Sequence, residues 1–131
     1  MAFPTPLLDA KLAQQRRQAE LDRQRILADA LQWLFSHGMQ FGILSGYVFG
    51  SATKPGHFSA GSDVDLAVES LKAGDPFGLM SDLSLYLNRD VDLVPLDQCH
   101  FATKIRETGT PWNVTSQTFI TQFDASESAD A

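Results

Sequence analysis

Asp63 and Asp65 stand two residues apart in the stretch SDVDLAV, and a third acid, Asp92, stands in RDVDLVP. Residues two apart on a strand project to the same face with Cα atoms roughly 6.5–7 Å apart, so the first two carboxylates can converge on one point. Two bare carboxylates about 6 Å apart repel by roughly 3 kcal/mol at an effective dielectric near 20, a penalty that a divalent cation removes. All-oxygen ligands favour Mg2+, which keeps waters and takes one or two carboxylates together with substrate phosphate oxygens. If the strand of Asp92 neighbours that of Asp63 and Asp65, the third acid completes the set, as a metal ligand or as acceptor of a proton from an attacking hydroxyl. Asp90 has the same parity but sits at the strand entrance beside Arg89, so it ranks lower.

Gly50-Ser51 supplies a second kind of chemistry. A strand that runs into Gly-Ser before a turn leaves backbone N–H groups and a hydroxyl free for phosphate oxygens, and glycine there lets the backbone approach closely. Lys54 is the basic residue of the following loop and can neutralise a phosphate as a mobile point charge. His57 in the same loop reads as solvent-exposed, and the adjacent pair Cys99-His100 does not orient a thiolate on an imidazole. Taken singly, Gly-Ser is usually a turn and Asp-x-Asp usually solvated surface. Their order is the informative part: strand, Gly-Ser, loop, Asp-x-Asp strand, helix, third Asp strand.

The elements that must position these residues can be read from pattern. Thr5-Pro6 reads as a helix start, with Thr5 as N-cap and Pro6 at the first helical position, and Gly38 as the stop. A helix of about 30 residues is roughly 45 Å long. It should overhang a domain whose radius of gyration is only about 14 Å. Its second half, with Ile26, Leu27, Ala30, Leu31, Trp33, Leu34 and Phe35, can bury against a sheet. Across residues 11–25 only Leu12, Ala13, Ala19 and Leu21 are apolar, so residues 1–24 are expected to project, either into solvent or onto another chain.

Residues 43–49 read as a strand, 52–62 as a Gly/Ser/Pro-rich loop, and 63–68 as a half-buried strand of period two. Asp75-Pro76 opens a second helix carrying Leu79, Met80, Leu83, Leu85, Tyr86 and Leu87. A third strand covers 91–94 and a short helix 97–106, with Gly109 and Pro111 as breaks. Residues 112–123 are weakly patterned, and DASESADA at 124–131 is expected to be a mobile acidic tail. The fold expected is a single α/β (α+β) domain over 1–123, a small mixed sheet packed with helices.

The totals narrow the function. At 131 residues the chain is one domain by length, and 44% hydrophobic with 20% charged residues is a globular composition. A net charge of −6 argues against strong direct nucleic-acid binding. The charge is uneven, because residues 1–25 carry five basic and three acidic side chains. One cysteine, Cys99, suits a reducing cytoplasm, and no apolar run reaches membrane-span length.

The stretch VFGSATKPGHFSAGSDVDLAV followed by RDVDLV resembles the minimal nucleotidyltransferase (MNT) family of the DNA polymerase β-like superfamily. The likeness covers residues from about 25 to 97, with the family's Gly-Ser, Asp-x-Asp and third Asp falling on Gly50, Ser51, Asp63, Asp65 and Asp92. It implies a nucleotidyltransferase-like mixed-sheet core, with Mg2+ as cofactor and ATP as substrate. It also implies transfer of a nucleoside monophosphate to a hydroxyl. Asp63 and Asp65 would bind metal, Asp92 would bind metal and activate the acceptor, and Gly50 and Ser51 would hold the β- and γ-phosphates. The loop 52–62 is one residue longer than the family's usual spacing, and Lys54-Pro55 stands where Arg-Gly is common.

Proteins this small in the family resemble the antitoxin half of two-gene modules whose partner is an all-helical HEPN ribonuclease toxin. That resemblance implies a protein adenylyltransferase that adds AMP to a toxin tyrosine and forms a hetero-oligomer with it. The basic first helix would be a docking surface. Two other functions remain open from sequence: an inhibitor that neutralises its toxin by contact alone, and a transferase for a small molecule.

Overall fold

The computed structural model describes residues 6–114. The Thr5 cap, residues 115–123 of the weakly patterned segment and the 124–131 tail lie outside the described residues. Helix α1 runs Pro6–His37 and ends in a 3-10 turn at Gly38–Phe41. Strand β1 (Ser45–Phe49) leads into a tight turn at Gly50–Thr53, and β2 (Val64–Val68) follows the loop. Then come α2 (Pro76–Leu87), β3 (Val91–Pro95), α3 (Ala102–Thr108) and β4 (Thr110–Asn113). The four strands form one mixed sheet in the order β3-β2-β1-β4. Pairs β1/β2 and β1/β4 are antiparallel, while β2/β3 is parallel. A parallel pair requires a crossover, and α2 supplies it.

The two faces of the sheet are covered differently. Val48, Val64, Leu66 and Val68 pack with Ile26, Ala30, Trp33 and Leu34 of α1 and Leu79 and Leu83 of α2. On the opposite face a smaller cluster joins Ala67 to Ala102 and Ile105 of α3, with Leu96 and the partly buried Tyr47, Phe49 and Val94. Period two therefore sends Val64, Leu66 and Val68 to the main core, and Asp65 and Ala67 to the thinner α3 side.

Several elements differ from the sequence reading, each for a physical reason. The buried positions of α1 are Arg23, Ile26, Ala30, Trp33 and Leu34. Arg23 lies on the core face, at 3 and 7 residues before Ile26 and Ala30 in helical phase, and it is 8% exposed. Ala19 and Glu20 are also partly covered, so contact with the body begins well before residue 24. In α2 only Leu79 and Leu83 of the expected apolar set are fully buried, and Leu85 is 80% exposed on the outer face. Pro111 does not end the fold: it sits in β4, an edge strand, where its missing N–H breaks no ladder. The short helix starts at Ala102 rather than 97, after a 3-10 turn at Leu96–Gln98. No helix among the described residues is long and apolar enough to cross a membrane.

The expected start of α2 is in place. Asp75 accepts a hydrogen bond from the Gly78 N–H at 3.0 Å, and Pro76 stands in the first turn. Asn88 ends the helix in the left-handed conformation at φ 53°. This clean stop delivers the chain into β3 in register, because the Val64 N–H donates to the Asp90 carbonyl at 2.9 Å.

Candidate functional site

Parallel register places Asp65 directly beside Asp92. Neighbouring strands lie about 4.8 Å apart and paired residues share a face, so both carboxylates emerge on the α3 side. Asp63 precedes the first residue of β2 by one position and is exposed, as is Asp92, while Asp65 is half-buried. Burial, then the charge of Asp92, then that of Asp63 push the Asp65 carboxyl above its ordinary range. Asp65, the half-buried member, is thus the one whose neighbours act on it.

Among the described residues no cationic side chain pairs with them. None of the three carboxylates has an ion pair or hydrogen bond among the described residues. The donor set, three oxygen acids with one partly desolvated, fits Mg2+, which asks for carboxylates, waters and phosphate oxygens rather than an all-protein cage. Among the described residues, however, no group of three or more His, Cys, Asp or Glu side chains is arranged to hold a metal ion, so the three acids do not converge as their spacing predicted.

Gly50 joins this cluster through its backbone. Its φ is +76°, a conformation that L side chains rarely adopt, and a Cβ built there would run into the Asp65 carboxylate. The register pairs Phe49 with Asp65, so the end of β1 brings the Gly-Ser turn onto the acids. In that turn the Gly50 carbonyl accepts from Thr53 Oγ1 at 2.8 Å and the Ser51 carbonyl from the Lys54 N–H at 3.1 Å. The Ser51 hydroxyl has no hydrogen-bond partner among the described residues.

Two arginines that the sequence reading did not single out hold the loop between Gly50 and Asp63. Arg23 Nη1 donates to the Ala52 carbonyl at 3.1 Å, and its other nitrogens form a fork on the Glu20 carboxylate, with Nε to Oε1 at 2.9 Å. The hydrogen bonds from Arg23 and Gln24 lower the Glu20 carboxyl to about 2. Arg89 Nη1 donates to three loop carbonyls, Ser59 at 3.2 Å, Ala60 at 3.1 Å and Ser62 at 2.7 Å. Its guanidinium also lies 4.6 Å above the Phe58 ring. A sequence signal existed for Arg23, its helical phase, but none for Arg89, whose acceptors are main-chain atoms about 30 residues away in a loop.

One hollow borders the acids and a second borders the Gly50 turn. A cleft of about 440 Å3 between α2 and β3 is lined by Asp63, Asp90 and Asp92 together with Ser81 and Ser84. Asp90, ranked below Asp92 by sequence, therefore opens onto the same cleft. A smaller hollow of about 230 Å3 lies on the α3 side, lined by Phe49, Gly50, Lys54, Phe101, Lys104 and Ile105 among others. Lys54 thus shares a hollow with Gly50. Lys104 borders it too and was missed, because nothing in the sequence orients α3 on the sheet.

No protein-family model matches the chain, and no curated protein matches it. Among solved structures, a chain in the crystal structure of the toxin-antitoxin MntA-HepT is similar, with a TM-score of 0.39 and 20% identity over 83% of this chain and 92% of that one. A likeness that loose carries no functional argument; the site geometry does.

Proposed function

We propose that the chain is a Mg2+-dependent nucleotidyltransferase that moves AMP from ATP to a hydroxyl of a partner protein. The observation that carries this is the meeting of Gly50 with Asp65, and of Asp65 with Asp92, at the ends of three adjacent strands. A backbone turn suited to phosphate and a set of unpaired acids suited to a divalent cation share one spot. Asp63, Asp65 and Asp92 would hold Mg2+, which when bound offsets the negative charge on the phosphates. The acceptor oxygen forms a bond to the α-phosphorus, the bond from that phosphorus to the bridging oxygen breaks, and pyrophosphate leaves with the electron pair. Asp92, on edge strand β3 where it also borders the cleft, takes the acceptor's proton.

The acceptor proposed is a tyrosine of a HEPN-type ribonuclease toxin, with this chain as its antitoxin. The MNT-like motif supports that assignment, as does the uncovered basic end of α1, where Leu21 is 60% exposed beside Arg16 and Arg17 and Leu7, nearer the helix start, is 82% exposed. A contact-only antitoxin is the second reading, favoured by acids that are not drawn into a closed cluster. Incubation with labelled ATP, Mg2+ and the product of the neighbouring gene separates the readings. Label on the partner supports transfer, protection without label supports contact alone, and label only on a small alcohol points to a small-molecule acceptor.

A further inference from the structure

Beyond residue 26 the described residues hold five basic side chains, of which two are engaged within the protein. Arg106 pairs with Glu69 at 2.7 Å, and Nη1 of Arg89 donates to three loop carbonyls. The ammonium groups of Lys54, Lys72 and Lys104 have no ion pair or hydrogen bond among the described residues. Two of these three, Lys54 and Lys104, border one hollow, whose wall also includes Gly50, the residue where an added Cβ would meet the Asp65 carboxylate. Lysines and carboxylates thus flank the same glycine without neutralising each other. That arrangement suits a ligand that is itself both anionic and cation-bound.

We infer that Lys104, acting with Lys54, is the seat of the diphosphoryl part of the nucleotide, the group that departs as pyrophosphate. The inference rests on the nucleotidyltransferase reading and adds a residue from an element the motif does not include. Phe101, Lys104, Ile105 and Thr108 recur at helical spacing and face the hollow together. The volume of about 230 Å3 lies below the roughly 300–1,000 Å3 of pockets that engulf drug-sized ligands. It accommodates the phosphate tail and leaves the nucleoside outside. Lysine suits this task because its flexible stem carries a point charge that can follow a leaving group.

The test is calorimetric binding of inorganic pyrophosphate, ATP and AMP, each with Mg2+, to the full chain and to Lys104→Gln, with Lys72→Gln as the control. Loss of one charge-assisted contact weakens pyrophosphate and ATP by about tenfold, leaves AMP within about twofold, and shrinks at high salt because the group is exposed. Lys104→Arg restores most of the affinity. Lys104 is exposed on its helix, and glutamine is nearly as good a helix former, so thermal melting should be unchanged. Equal weakening of AMP and pyrophosphate, or an equal effect of Lys72→Gln, overturns the inference. So does undiminished pyrophosphate binding by Lys104→Gln when the wild type transfers AMP, and that outcome leaves the nucleotidyltransferase reading standing. A wild type that binds no ATP and labels no acceptor defeats both.

Discussion

A Cβ placed on Gly50 would fall on the Asp65 carboxylate, so one of the two would have to move. The turn after β1 and the acid in β2 therefore form one unit. Positive φ alone would cost a non-glycine residue about 1–2 kcal/mol. Gly50→Ala should lose more than that, and Asp65→Ala in the same chain should recover the excess. Urea unfolding of the two single variants and the double variant measures the coupling. Strictly additive losses would mean that backbone strain alone demands the glycine.

Asp65→Asn is expected to abolish AMP transfer and yet raise the melting temperature by a few degrees, a gain of about 0.5–2 kcal/mol typical of relieved functional sites. The sign follows from the raised carboxyl. Folded Asp65 holds its proton more tightly than the unfolded chain does, so stability is lost as pH rises through the window above the ordinary value of 3.8. The advantage of Asp65→Asn should accordingly be largest at pH 7 and fade towards pH 4. Melting curves across that range check it. Glu20 acts in the opposite sense and lower down, its contribution vanishing as pH falls from 4.5 to about 2.

Magnesium with ATP should raise the melting temperature of the wild type, because a ligand bound only by the folded state stabilises it by about 2.7 kcal/mol at a hundredfold excess over Kd. The same addition should leave Asp65→Asn with Asp92→Asn unmoved. An equal shift in both proteins would place the metal elsewhere.

Arg23→Met keeps the stem of the side chain but orphans the Ala52 carbonyl, which should cost about 1–3 kcal/mol. Lysine should not restore it, since the fork on Glu20 needs two nitrogens. Chemical denaturation measures the loss, and hydrogen exchange should report faster opening at 50–54.

Deletion of residues 1–15 should weaken binding to the partner while changing the melting temperature little, since all fully buried positions of α1 lie at or beyond Arg23. Removal of residues 1–24 should destabilise the protein as well, because it takes Arg23 and Glu20 from the loop. Pull-down and melting of both truncations distinguish docking from folding.

The strands and their order of motifs were legible because period-two burial and turn residues are local signals. Val64, Leu66 and Val68 alternate with the acids, and Asp75-Pro76 announces a helix. What escaped was whatever depends on distant main chain. Arg89 reaches carbonyls across about 30 residues, and Lys104 acquires meaning only when α3 is laid on the sheet. Helical phase could have revealed Arg23, but its charge argued for solvent. Pro111 read as a break because edge position, which makes it harmless, is a property of the sheet.

Asp65 and Asp92 meet because α2 and its short exit deliver β3 at one particular step along β2. The side-chain period of a strand is two, so an insertion of a single residue between Asn88 and Val91 that shifted the ladder would turn Asp92 to the opposite face. The distance that counts for this cluster is thus measured in peptide units along the crossover. Lengthening that crossover by one should silence the acids, whereas adding two should restore their facing at the expense of one rung.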